Sequence, residues 1–420
     1  MKNRVRQKGR IESKGVWDPY IPPEPSPYNY LGEPILLREP PDVSEKDVPT
    51  LVDLFSGAGG FSLGFEKSGF KTILGLDILK TAAETFTYNF PSAGFILGDV
   101  RKVKVSDVRT LLGGIHPVVL TAGVPCQGFS LNNRKRNSED ECNFLFLEML
   151  RFVEALEPQV VVVENVPGMR SARSEKVGGS FVVAVEKALS ILGYKVSHRE
   201  LLATDFGVPQ ARKRLFFVAV DPKLRFSWPQ PTTSSRPVTV WEALGDLPKL
   251  EAGEVTFDYD QEPHSDYAYR MRAGADRLFN HEAPKHDKRT LERIARTLPG
   301  EPLYDKYKQR IRLHPERPSP TIVAGGIRPQ FFFAHPTQIR GLTVREQARL
   351  QGFPDTFVFL GGIVQGRVLT GNAVPPPLVE ALAIAVKNAL KGEVKEDSRS
   401  LVQMALNLPT GAELANEPRS

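Results

Sequence analysis

The stretch TLVDLFSGAGGFSLGF, residues 50–65, decides the fold. Its opening, TLVDLF (50–55), is an apolar run of β-type residues that breaks into a glycine-rich turn and then into a helical pattern over 61–68. Strands buried on both faces of a parallel sheet read as nearly continuous apolar runs. Glycines behind such a strand let the backbone approach a ligand closely, next to the unpaired N–H groups of a helix N-terminus. The same rhythm continues downstream in KTILGLDI (71–78), GFILGDV (94–100), HPVVLTAG (116–123), QVVVVENV (159–166) and RLFFVAV (214–220). Helical patterns lie among these runs at 79–89, 144–156 and 182–192. Alternation of this kind predicts an α/β fold built on a doubly wound, Rossmann-like sheet.

After Asp221 the rhythm stops. Residues 222–320 are rich in Pro, Arg and polar groups, and order returns at LTVREQARLQGFP (342–354), RVLTGNAVPPP and an amphipathic helix over 378–390. The expected organisation is a basic, Pro-rich extension (1–49), the first part of an α/β domain (50–221), an inserted smaller domain (222–330), completion of the α/β domain (331–393) and a loose tail (394–420). The extension carries IPPEPSP and EPPD and reads as an extended arm that resists packing. With 41% hydrophobic and 25% charged residues the composition is that of an ordinary globular protein. No run of eighteen apolar residues marks a membrane span, and the basic N-terminus lacks the apolar segment of a secretory signal. Two cysteines, Cys126 and Cys142, cannot build a disulfide framework or a four-cysteine zinc site, so a reducing interior is expected. A formal charge of +6 fits a polyanionic partner without requiring one. Its distribution is more telling: residues 268–330 carry fourteen Lys/Arg against seven Asp/Glu, with Tyr269, Phe279, Tyr304 and Tyr307 interleaved.

Candidate chemistry gathers at the carboxyl ends of the strands, where such sheets bind ligands. The second run ends at Asp77, placed to hold ribose hydroxyls, and the third brings Asp99 to the same edge, suited to an adenine amino group. The glycines do not follow G-x-G-x-x-G, and no Lys or Arg follows them to meet a phosphate. S-adenosylmethionine therefore fits better than a dinucleotide. GVPCQGFS (123–130) then puts Cys126 just past the next strand. A lone cysteine is usually a small buried hydrophobe, and Cys142 is read so; Cys126 stands where a nucleophile would. Glu164 ends the fifth run, and QARKR (210–214) places Arg212 and Arg214 on one face if alternation holds. A thiol, a carboxylate and two guanidiniums beside a methyl donor suit methylation of a carbon that is not itself nucleophilic, such as C5 of cytosine. Thiolate addition at C6 makes C5 enamine-like, and a carboxyl group at N3 stabilises the adduct.

DLFSGAGGFSLGF, GVPCQGFS, ENVPG, QARKRLF, RPSPTIVAGG and LTGNAVPPPLVEALA, in this order, resemble the ordered motifs of the DNA (cytosine-5) methyltransferases of bacterial and archaeal restriction–modification type. The resemblance covers residues 50–221 and about 317–390. It implies Cys126 as nucleophile, Glu164 acting at N3, and Arg212 and Arg214 at a base flipped out of double-stranded DNA. S-adenosyl-L-methionine would lie against Phe55, Ser56, Gly57, Gly59 and Gly60, then Asp77, Ile78, Asp99 and Val100. Gly123, Pro125, Leu145, Asn372 and Val374 would complete its site, with no metal. Residues 222–330 would recognise a short target sequence. A monomer in a prokaryotic cytoplasm, associated with the nucleoid and paired with a cognate restriction endonuclease, is the expected setting. Three departures stand out: Val124 where many members have a second proline, Asp77 where glutamate is usual, and Ile78 where some carry an aromatic residue. An RNA methyltransferase of the same fold remains an alternative, although its transfer-RNA branch carries a Cys-Phe-Thr signature and no cysteine follows Cys142 here. A catalytically silent DNA-binding regulator is the other.

Overall fold

In the computed structural model, residues 29–43, 48–125, 144–233, 235–324 and 333–392 are described. The first strands are β1 (Ile35–Arg38), β2 (Thr50–Leu54), β3 (Lys71–Asp77), β4 (Gly94–Leu97), β5 (Val119–Gly123) and β6 (Val160–Asn165). A two-residue hairpin, β7 (Arg173–Ser174) and β8 (Gly179–Ser180), precedes β9 (Lys195–Leu202), β10 (Gln210–Ala211) and β11 (Lys213–Val220). Eight of these form one sheet in the order β1-β4-β3-β2-β5-β6-β11-β9. From β4 to β6 the pairing is parallel, whereas β1, β11 and β9 run antiparallel to their neighbours. The sheet grows in one direction from β2 through β3 to β4 and in the other from β5 to β6. That reversal between β2 and β5 is the switch point at which ligands bind in open α/β sheets.

The apolar runs are continuous because both faces are covered. In β6, Val161 and Val163 join one core cluster and Val160 and Val162 the other. Helices α1 (Gly60–Lys67), α2 (Lys80–Asn89), α3 (Val105–Leu111), α4 (Phe146–Leu156) and α5 (Phe181–Ile191) alternate with the strands. Phe152, Val153 and Val185 of α4 and α5 pack on the first face; Phe61 and Phe65 of α1 pack on the second. Two strands escape the sequence pattern. KVSHRELL forms β9, an edge strand with only Leu201 buried, so no apolar run announces it. The extension expected to stay unpacked contributes β1: Ile35 pairs with Leu97 and Leu36 with Ile96, and Arg38 Nη1 donates to the carbonyls of Thr87 and Phe90.

Beyond Asp221 come α6 (Val240–Leu244), α7 (Asp266–Arg272), α8 (Lys288–Arg296), β12 (Ile311–Arg312), β13 (Ser319–Pro320), β14 (Phe333–Ala334), α9 (Val344–Gln351), α10 (Gly362–Asn372) and α11 (Pro376–Leu390). Their apolar cluster joins Val240, Leu244, Tyr267 and Met271 to Phe333, Leu342 and Leu350, so packing runs straight across position 330. Helix α9, VREQARLQ, is buried along its whole length despite its charges. Arg349 lies between Asp246 (2.5 Å) and Asp355 (2.6 Å), and Arg340 pairs with Glu346 (2.6 Å). Tyr259 donates to Asp355 Oδ2 at 2.7 Å. The Thr343–Glu346 capping box starts the helix. The apolar stretch Gly362–Leu390 is long enough to be compared with a membrane span, but it is two helices broken at 373–375 and mostly buried. Helix α11 packs on α1 and returns the chain to the sheet.

Removing one partner of a buried ion cluster strands the others. Arg349→Ala leaves two carboxylates without their guanidinium, and the expected loss is about 3–5 kcal/mol, read as a lower urea midpoint.

Candidate active site

Past Leu54 the chain turns sharply. Phe55 (φ 55°), Gly57 (φ 54°) and Gly59 (φ 96°) are all left-handed, and only the first carries a side chain. The turn is fixed from β3. The Ser56 N–H donates to the Leu76 carbonyl at 3.0 Å, and the Gly57 N–H donates to Asp77 Oδ2 at 2.8 Å. The other oxygen of Asp77 accepts from the Leu79 N–H at 2.8 Å, holding the entry to α2. Burial pushes the Asp77 carboxyl above its ordinary range, opposed by these backbone N–H groups.

The three glycines differ in what surrounds them. Among the described residues, a methyl group on Gly57 would meet nothing within 4 Å. A methyl on Gly59 would enter the Phe90 ring, and one on Gly60 would strike the Val374 carbonyl. The bare backbone of Gly60 is what allows the 373–375 segment to close against the first turn of α1. Gly123, at the end of β5, faces the Phe55 carbonyl. The turn, the end of β5 and Val374 thus lie side by side, and Asn372, at the end of α10, is exposed.

The remaining expected residues are placed as follows. Ile78 is half-buried, and its carbonyl accepts from the Tyr30 N–H of the N-terminal arm at 2.8 Å. Asp99 follows β4 and pairs with Arg101 at 2.6 Å; that hydrogen-bonded guanidinium holds its carboxyl below the usual range. Val100 is buried in the first core cluster, and Leu145, half-buried, packs against it. Pro125 is half-buried just past β5. Cys126, the residue after it, lies outside the described residues.

Glu164 occupies the carboxyl end of β6, in register with Gly123 on one side and Phe216 on the other. Arg214, two residues before Phe216 on β11, shares its face and pairs with it: Arg214 Nε to Glu164 Oε1 is 2.7 Å, both side chains nearly buried. Arg212 does not join them. Its own N–H donates to the Gln210 carbonyl at 2.8 Å, a tight kink that breaks the alternation expected across QARKR. The side chain turns instead into the protein, with Nη1 on the Ile322 carbonyl (2.8 Å) and Nη2 on the Gly371 carbonyl (3.0 Å). Arg212 therefore links the end of the inserted region to the end of α10, and β10 reinforces that link by pairing with β13.

One residue at this end of the sheet escaped sequence reasoning. Asp53, inside the apolar run TLVDLF, is fully buried; its oxygens accept from Thr121 Oγ1 (2.7 Å) and Ser62 Oγ (2.8 Å). Burial pushes its carboxyl up to about 7. The signal was present, since a carboxylate inside a two-sided apolar strand is costly unless it has work to do.

Comparison with known proteins agrees with this geometry. The family model for the C-5 cytosine-specific DNA methylase matches residues 50–388. The Type II methyltransferase M.DdeI of Desulfomicrobium norvegicum is 34% identical over 373 residues, covering 79% of this chain and 87% of its own. The Type II methyltransferase M1.HphI of Haemophilus parahaemolyticus is 35% identical over 349 residues, covering 80% and 86%. Among solved structures, a DNA modification methyltransferase encoded within an E. coli prophage superposes with a TM-score of 0.68 at 28% identity, over 81% of this chain and 99% of that one.

The glycines make a ranked prediction. Gly60→Ala forces its methyl against the Val374 carbonyl and costs about 1–3 kcal/mol of overpacking. Gly57→Ala meets no described neighbour and bears only the left-handed backbone cost, about 1–2 kcal/mol. Thermal denaturation should therefore show the larger loss at Gly60, and only Gly60→Ala should also loosen the 373–375 segment in hydrogen exchange.

Proposed function

The chain belongs to the C-5 cytosine-specific DNA methylase family, and on that premise we propose how its own residues carry out the reaction. The substrate is a cytosine swung out of a short, specific double-stranded DNA sequence, because neither face of a stacked base is open to a nucleophile in a cleft. S-adenosyl-L-methionine, the donor that the family implies, supplies an electrophilic methyl group when bound. The site suits a nucleoside of this kind: among the described residues nothing crowds the Gly57 turn, and Asp77 presents a buried carboxylate already oriented by two backbone N–H groups. Phe55, Ser56, Gly57, Asp77, Ile78 and Asp99 would hold the nucleoside part, with Asn372 and Val374 closing the far side.

The observation that carries the reading is the Glu164–Arg214 pair, level with Gly123 at the end of β5, with β5 between it and the glycine turn. Cys126, three residues past Gly123, adds its thiolate to C6 of the cytosine. Glu164 holds the N3 edge of the ring and stabilises the charge that addition places there. Arg214 keeps that carboxylate aimed. C5 then attacks the methyl group, its proton is lost to a base, and the C6–S bond breaks to restore the thiolate and the aromatic ring. Arg212 serves by positioning, since it holds together the Ile322 and Gly371 carbonyls of two segments that pack directly on each other.

Residues 222–330 are proposed as the recognition region. Several of their arginines stack on aromatic rings: Arg272 over Tyr259 (3.8 Å), Arg293 over Tyr304 (4.4 Å) and Arg310 over Tyr307 (5.0 Å). Stacking of this kind holds a guanidinium plane in a fixed orientation, the form in which arginine meets phosphates and guanine edges. The enzyme acts as a monomer on DNA in the cytoplasm, protecting its site from an endonuclease of the same specificity.

Two measurements test the chemistry. Cys126→Ser is expected to abolish methyl transfer while cofactor binding survives, and DNA with 5-fluorocytosine at the target should trap a covalent complex with the wild-type chain alone. Labelling by Cys126→Ser at near wild-type rate would sink the nucleophile assignment. Glu164→Gln should lower kcat by about 100-fold or more, the usual share of a positioned acid–base group. Bisulfite sequencing of plasmid from cells expressing the chain reads activity and target together, and an unmethylated plasmid would favour the silent regulator.

A further inference from the structure

Residues 29–43 lie ahead of the part of the chain that the family shares, and the mechanism above gives them no task. Their path is set by β1. That strand runs antiparallel to β4 with Ile35 level with Leu97, so the residues before Ile35 continue past the carboxyl end of β4. Pro34 sits so tightly on Gly98 that a methyl group there would lie 2.9 Å from the Pro34 Cα. Lys102 Nζ then donates to the Leu31 carbonyl at 3.2 Å and pairs with Glu33 at 3.3 Å. From there the arm crosses to the end of β3, where the Tyr30 N–H donates to the Ile78 carbonyl at 2.8 Å and Asn29 bridges to Leu79. It therefore touches both segments that carry residues of the nucleoside side, Ile78 after β3 and Asp99 after β4.

The contact with Ile78 completes a chain of hydrogen bonds. The peptide unit between Ile78 and Leu79 has its carbonyl on the Tyr30 N–H and its own N–H on Asp77 Oδ1, at 2.8 Å. The other oxygen of Asp77 takes the Gly57 N–H of the glycine turn at 2.8 Å. An amide whose carbonyl accepts becomes a better donor at its N–H, because successive bonds polarise one another. With both ends held, this peptide keeps its plane and Asp77 keeps its aim. Ile78 is fixed by the same bond: a β-branched side chain is stiff at χ1, so its direction follows the backbone. The arm has a separate anchor further along, where Arg38 Nη1 donates to the Thr87 and Phe90 carbonyls at the end of α2.

We propose that Tyr30 is a positioning residue for the methyl donor: its backbone N–H locks the Ile78–Leu79 peptide and so sets Asp77 and Ile78 against the donor's nucleoside end. The inference rests on the cofactor reading above and adds to it a residue from outside the α/β domain. The arm acts on the shape of the site before the donor arrives. Its loss therefore weakens donor binding and leaves the chemistry at the base unchanged.

The test is a proline at position 30 of the full-length chain, since proline removes the N–H. Isothermal titration of Tyr30→Pro with S-adenosylmethionine should show binding about fivefold weaker than wild type, the net worth of one backbone hydrogen bond. The KM for the donor should rise by the same factor, with kcat at saturating donor and the KM for DNA within about twofold of wild type. Hydrogen exchange at the Leu79 and Gly57 amides should quicken in Tyr30→Pro, a reading that needs no donor. Arg38→Ala is the structural control. It loosens the arm at α2 and should lower the urea midpoint, with donor affinity and both amides as in the wild type. If the wild type binds the donor and Tyr30→Pro binds it equally well, the proposal is overturned and the cofactor reading stands. An equal loss of affinity in Arg38→Ala also overturns it, because the arm would then act only through general cohesion. A wild-type chain that binds no donor removes the cofactor reading, and this inference falls with it.

Discussion

Two-sided burial is the constraint on which this molecule rests. Strands covered by helices above and below can carry no polar side chain along their length without cost, so polar groups are driven to the strand ends. Asp77 ends β3, Glu164 lies at the end of β6, and Asp99 follows β4 within two residues. The polar edge thus falls where the core permits charge. The reversal of strand order between β2 and β5 then parts the connections above the sheet and leaves that edge open. Asp53 is the exception, and its hydroxyl partners do not remove the cost of its charge.

The region between the sheet and α11 obeys different rules. Its apolar cluster is small, and cohesion comes from buried ions arranged around one helix. Arg345 donates to the Phe279, Pro354 and Phe357 carbonyls, while Arg349 spans two aspartates. Replacing such clusters by apolar side chains is often neutral or stabilising, so stability alone does not account for them. Their geometric demand is greater: each guanidinium has partners from separate segments, and all must be in place at once. That demand fixes orientation within the region in a way that a sliding apolar contact would not.

The contrast explains what could be read in advance. Six strands and the helices α1, α2, α4, α5 and α11 were legible because apolar periodicity reports burial, and burial built them. β9 is an edge with one buried residue, and β1 sits in a Pro-rich arm with its aliphatic side chains half in solvent. Neither produces a period. α6, α7 and α8 are short and capped by local polar side chains, Thr239, Ser265 and Asp287. The placing of Asp77, Glu164 and Arg214 at one edge was legible for the same reason the strands were. What the side chains touch was not, because partners such as Ile322 and Gly371 lie more than a hundred residues away from Arg212.

Arg212 and Arg214 show how far a motif can be divided. They stand two apart in one short segment, and a regular strand would give them one role. A single backbone hydrogen bond, from the Arg212 N–H to the Gln210 carbonyl, turns the chain at Ala211, so the regular strand begins only at Lys213. Arg214 then meets the Glu164 carboxylate, and Arg212 meets two carbonyls from the packed segments at Ile322 and Gly371. The kink thus couples the two: the backbone that aims Glu164 through Arg214 is continuous with the backbone that holds the inserted region against α10. A shift in the segment around Ile322 would be felt at Arg212 first. From there it would reach Arg214 through one intervening residue, Lys213, without any contact to the substrate.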